Sequence, residues 1–106
     1  MRICFDQGTP APLRQALQGH SVSTAFELGW ARLANGALLK AVEDAGFELF
    51  VTTDQNLQYQ QNLAARRVRV VILTTTSWPR IRVALEKVVQ AIDGPDNVGI
   101  VVVEIP

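Results

Sequence analysis

Two aspartates stand just past apolar runs in this chain. Asp6 follows Ile3-Cys4-Phe5, and Asp54 follows the run through Phe50 and Val51. If those runs are parallel strands, their ends share one edge of a sheet, and two carboxylates far apart in sequence become neighbours there. Adjacent carboxylates repel, and a bound cation or a shared proton relieves the repulsion. The chain has one histidine and one cysteine, so a ligand set here would be all oxygen, which favours Mg²⁺ or Mn²⁺ over zinc. Read singly, each Asp is also an ordinary turn or cap residue. Glu27, in "AFELGW", is a candidate third acid. Asn35 stands where a helix begins and is a candidate site residue or a plain N-cap.

Basic residues offer a second chemistry. Arg66, Arg67 and Arg69 cluster in "ARRVR", and Arg80 with Arg82 opens a later helical stretch. Arg66, Arg67 and Arg80 are candidates for holding the phosphates of a nucleic acid, with a solvated helix-to-strand junction as the structural alternative. The formal net charge is zero, which argues against gripping nucleic acid by bulk charge alone. His20 follows Gly19 in a turn, and no nucleophile motif surrounds it. Trp30 reads as a core or interface residue, and Cys4 as a small buried hydrophobe.

These residues need elements to position them. The chain has 106 residues, 48% of them hydrophobic and 19% charged, which is enough to bury a core and indicates one domain over residues 1–106. Residues 2–5 read as a strand, and Thr9 and Pro10 begin a helix that buries Leu13, Ala16 and Leu17. Residues 21–25 form a weaker strand, and residues 26–34 are open between loop and short helix. A helix from Asn35 ends at Gly46, and residues 48–52 are a strand. A short helix covers residues 57–65. Arg69 to Leu73 is a strand of nearly continuous β-branched residues. One long helix capped by Ser77 buries Ile81, Leu85, Val88, Val89 and Ile92, and residues 98–105 are the last strand. Strands alternating with helices imply an α/β fold: a three-layer α/β/α sandwich on a mainly parallel sheet joined by right-handed crossovers. The apolar stretch "VGIVVVEI" is either a covered inner strand or an edge able to pair with a second copy, giving a homodimer. No run approaches the roughly 20 apolar residues of a membrane span, and no signal peptide precedes the first strand, so a cytoplasmic protein is expected.

The segments "DQGTP", "GHSV", "ELGW", "NGALL" and "TTDQNL" together resemble the small PIN-like domains of the DUF5615 type, which are related to the VapC toxin ribonucleases. The resemblance covers the first two thirds of the chain closely and the rest in element order. It implies a PIN-like fold whose acidic edge holds Mg²⁺ or Mn²⁺ and hydrolyses RNA, as the toxin of a pair silenced by an antitoxin protein. Asp6 is then the first-strand ligand, Glu27 the second acid and Asp54 the acid of the Thr-x-Asp strand end. Gln7, Asn35 and Asn56 stand where the family pattern has acids. Each amide keeps an oxygen but brings no charge, which lowers cation affinity. The alternative is therefore a non-catalytic PIN-like module that binds RNA or a protein partner. A phosphoacceptor domain like the response-regulator receivers, with Asp54 modified and Thr75 nearby, is a third reading. Against it, the first strand supplies one Asp and not an acidic pair, and no lysine follows the last strand.

Overall fold

Apolar residues alternate through three consecutive strands, and both sets are buried. The structure, a computed structural model, describes residues 1–60, 67–94 and 99–106. Strands β1 (Arg2–Phe5), β2 (Ser21–Thr24), β3 (Leu49–Thr52), β4 (Arg69–Leu73) and β5 (Ile100–Val103) form one sheet in the order β2-β1-β3-β4-β5. Every pairing is parallel. Side chains on a strand point to alternate faces. Ile3, Phe5, Leu49, Val51, Val71 and Leu73 accordingly face one side, while Cys4, Phe50, Val70 and Ile72 face the other. Two covered faces are what a parallel sheet requires.

A 3₁₀ helix (Ala11–Leu17) lies on the first face through Leu13 and Leu17, joined there by α3 (Trp78–Val83) and α4 (Leu85–Asp93) through Ile81, Val88 and Ile92. On the second face lie α1 (Asn35–Asp44), through Leu38, Leu39 and Val42, and α2 (Leu57–Gln60), through Leu57. The fold is thus the expected three-layer α/β/α sandwich, with a wholly parallel sheet consistent with a PIN-like layout. The helix expected at residues 57–65 is seen as α2, and residues 61–65 lie outside the described residues. The last strand is seen from Ile100, and Val98 also lies outside them. No described helix is long and apolar enough to cross a membrane.

Three local expectations change. The first helix is 3₁₀ and has Pro10 at its cap position, because Thr9 turns its hydroxyl inward to Asp6 and Val51 instead of capping. The long helix after Ser77 is two helices broken at Ala84 (φ −100, ψ 22), whose N–H donates to Ile81 O in a tight last turn, and Ser77 makes no side-chain cap bond. Leu85 and Val89 are consequently only half-buried.

The crossovers are also not all of one hand. Helix α1, between β2 and β3, and helices α3 and α4, between β4 and β5, lie on opposite faces although both units step the same way across the sheet, so the last is opposite in hand to the β2-to-β3 unit. Right-handed crossovers account for about 98% of such units. The exception has a packing reason. The 3₁₀ helix is seven residues long, and without α3 and α4 it would leave Val51, Val71 and Leu73 uncovered. The other face of β5 is correspondingly open: Val102 on that edge strand is 39% exposed.

Candidate functional site

The strand order reverses between β1 and β3, and in open parallel sheets the crevice outside the carboxyl ends of such a pair is where ligands bind. Phe5 pairs with Val51, so Asp6 emerges opposite Thr52 with Asp54 two residues further on. Asp6 is half-buried, and its carboxylate is held from three directions. Oδ1 accepts from the Thr9 N–H at 3.0 Å and lies 2.7 Å from the Thr9 hydroxyl. Oδ2 accepts from the Thr52 hydroxyl. The Thr52 oxygen in turn accepts from the Asp54 N–H at 3.1 Å. One buried hydroxyl therefore links the two expected acids. The Asp54 carboxylate also accepts from the Asn56 N–H at 3.0 Å, which shapes the turn leading into α2. The loop from Asp6 to Thr9 lies hard against the end of β3. A Cβ at Gly8 would collide with the Thr53 hydroxyl, so a larger residue there fits only if the Thr53 side chain turns away.

Asp6 stands between two depressions. A small one of about 140 Å³ is lined by Asp6, Gln7, Gly8, Trp30 and Leu33 among others. A wider one of about 610 Å³ includes Asp6, Thr9, Thr24, Phe26 and Thr76. Thr74 and Thr75 complete the rim after β4, and their hydroxyls accept from the N–H groups of Ile105 and Ser77. Trp30 packs edge-on against Phe47 at 6.2 Å, as a partly buried core residue.

Glu27 is drawn elsewhere. Its carboxylate pairs with the Arg14 guanidinium, with a second contact at 3.3 Å. It also accepts from the Thr24 N–H at 2.9 Å, while its own N–H donates to the Thr24 hydroxyl at 3.1 Å. This is a capping box on a single helical turn. Hydrogen bonding from Arg14, and then from the Thr24 backbone, lowers the Glu27 pKa to about 2 from 4.5. The folded pKa is depressed, so the pair's contribution to stability is fully present above pH 4.5 and is lost as the pH falls toward 2. Glu27→Gln is therefore expected to lower the urea midpoint slightly at neutral pH and to match wild type in strong acid, as checked by denaturation at a series of pH values.

Asn35 is the first residue of α1, preceded by Ala34 at the cap position, and its side chain lies outside the described set. Among the described residues, no three His, Cys, Asp or Glu side chains are grouped closely enough to hold a metal ion. Asp6, Asp54 and Glu27 thus do not form the three-acid cluster the sequence suggested.

The arginines divide between the two edges. Arg67 precedes β4 and so lies at the amino edge, opposite Asp6 and Asp54, where its N–H donates to Glu43. Arg66 lies outside the described residues. Arg69 turns to the carbonyls of Ile92 and Gly94 at the end of α4. Arg80, in the first turn of α3, donates to the backbone oxygens of Pro106 at 2.9 Å and Ile105 at 3.4 Å. His20 pairs with Asp93 at 2.7 Å. Cys4 is fully buried, and burial, with the nearby Asp6 charge second, pushes its thiol up to about 12, so it is no nucleophile.

The fold and the crevice define a doubly wound α/β domain with a carboxylate at its switch point. The chain matches no protein-family model, no curated protein and no solved structure.

Proposed function

We propose that the protein is a PIN-like, metal-dependent endoribonuclease working at the crevice between β1 and β3, with RNA as substrate and a protein antitoxin as its regulator. The observation that carries this reading is Asp6: a half-buried carboxylate at the switch point, oriented by Thr9 and Thr52 and linked through Thr52 to Asp54. The donor set suits Mg²⁺ or Mn²⁺. A carboxylate has about four acceptor positions, and three donors approach Asp6, leaving room for one cation. Magnesium commonly binds through one or two carboxylates, keeping its waters and taking up substrate phosphate. Asp6 and Asp54 would hold such an ion, with the Asn56 amide as an added oxygen. When bound, the ion supplies charge neutralisation at the phosphodiester and an activated water. The threonine hydroxyls hold Asp6 in place, and the Gly8 loop lies beside it against the end of β3.

The pairing of Glu27 with Arg14 favours a second reading, a non-catalytic module that binds RNA, because it leaves two acids at the rim. One experiment separates the two. Purified protein is incubated with a mixed RNA pool and Mn²⁺, with EDTA as control. Manganese-dependent cleavage is expected, reduced about 100-fold or more by Asp54→Ala with little change in melting temperature. RNA that is bound but left intact would decide for the module.

A further inference from the structure

The chain has seven aromatic residues. Phe5, Phe47 and Phe50 are buried, and Trp30 and Trp78 are half-buried. The remaining two are largely in solvent: Phe26 at 74% and Tyr59 at 81% exposed. Both lie on the carboxyl edge of the sheet, one on each side of Asp6. Phe26 follows β2, to one side of β1, and Tyr59 follows β3, to the other. Neighbouring strands lie about 4.8 Å apart, so the two strands that lead to these rings are separated by about 10 Å, with the acidic crevice between them.

The backbone that carries each ring is hydrogen-bonded within its own turn. Phe26 sits within the Thr24–Glu27 capping box, which Arg14 clamps from the 3₁₀ helix, and it borders the wide depression beside Asp6. Tyr59 sits in α2, whose entry is shaped by Asp54 and by the Tyr59 N–H donating to Asn56 O. A ring so exposed gains little packing in the folded protein. It is preorganised for a flat partner. Arg32 is exposed on the same loop as Phe26 and forms no ion pair with a described residue, so it is free to meet a phosphate.

We infer that Phe26 and Tyr59 are stacking platforms that lay a single-stranded nucleic acid across the carboxyl edge, one base on each ring, with the intervening phosphodiester at Asp6. The inference rests on the reading of the crevice as a phosphodiester site and adds how the strand is held there. Bases have a stackable face whatever their identity, so binding is tolerant of sequence. A duplex, whose bases are already stacked, binds weakly.

The test is fluorescence anisotropy with a labelled single strand of about 12 nucleotides, within the span such grooves cover, as RNA and as DNA, at low salt in EDTA so that no hydrolysis intrudes. Phe26→Ala and Tyr59→Ala are each expected to weaken binding about 5- to 150-fold, while Phe26→Trp retains it. An oligonucleotide with abasic positions is expected to bind wild type and both alanine variants equally, an outcome that a merely structural role for the rings would not produce. Tighter binding of RNA assigns the groove to RNA, and tighter binding of DNA assigns it to single-stranded DNA; either supports stacking. Alanine variants with wild-type circular dichroism that bind within twofold of wild type would overturn the inference. So would a wild-type protein that binds neither strand. The catalytic reading fails separately: ring-dependent binding without Mn²⁺-dependent cleavage removes the hydrolase and keeps the platform.

Discussion

Asp6→Ala is expected to abolish manganese-dependent RNA cleavage and to destabilise the protein by about 2–3 kcal/mol, on the order of 10–20 °C in Tm. The two effects share one cause. The carboxylate is the acceptor for the Thr9 N–H, the Thr9 hydroxyl and the Thr52 hydroxyl. Thr9 is 5% and Thr52 1% exposed, so water does not replace the lost acceptor. A buried donor left without a partner costs about 1–3 kcal/mol. Thr9 has a fallback in Val51 O at 3.0 Å, and the unrelieved loss falls chiefly on Thr52. Asp6→Asn separates charge from scaffold. Its one carbonyl oxygen keeps either the Thr52 contact or the two Thr9 contacts, so part of the stability returns, but the anionic ligand does not, so cleavage stays lost. An Asp6→Asn variant that cleaves RNA at the wild-type rate would show that the Asp6 charge serves the fold alone.

Thr52→Val is the second large effect. The replacement is close in shape and suits a buried strand position, so packing changes little. What it removes is the hydroxyl that donates to Asp6 and accepts from the Asp54 N–H. Hydrogen bonds to charged groups contribute about 1.5–3 kcal/mol, and a destabilisation in the lower part of that range is expected once the better strand propensity is counted. Cleavage is expected to fall about tenfold or more, because the turn that presents Asp54 is no longer tied to Asp6. Thr52→Ser keeps the hydroxyl and loses the methyl, so it is expected to unfold more easily yet cleave nearly as well as wild type. Activity that follows the methyl instead would make Thr52 a packing residue only. Urea denaturation and initial cleavage rates on the three proteins are sufficient.

The sheet was legible because its strands obey local rules. Arg69–Leu73 is a β-branched run whose limits match the strand, and the positions of Asp6 and Asp54 follow from parallel pairing alone. The faces of the helices were not legible. Nothing local in residues 77–94 says that α3 and α4 must join the 3₁₀ helix; that depends on how little of the face the 3₁₀ helix covers. The loss of Glu27 to Arg14 is likewise tertiary, since the partners lie 13 residues apart on different elements. A local sign was present nonetheless: Thr24-Ala25-Phe26-Glu27 has capping-box spacing, which marks Glu27 as a structural carboxylate. Thr9 and Thr52 were read as a cap and a strand end. Asp6 to Thr9 has the spacing at which an aspartate accepts from backbone and hydroxyl groups of its own turn, whereas the bond to Thr52 spans 46 residues and needed the fold.

The most direct test of a cation at this edge is Mn²⁺ titrated into ¹⁵N-labelled protein, with amide broadening followed by NMR. Residues 6–9 and 52–56 are expected to broaden first, and Asp6→Asn to remove the effect. Broadening that begins at the opposite edge, around Glu43 and Glu48, or that is unchanged in Asp6→Asn, would contradict a metal site between β1 and β3.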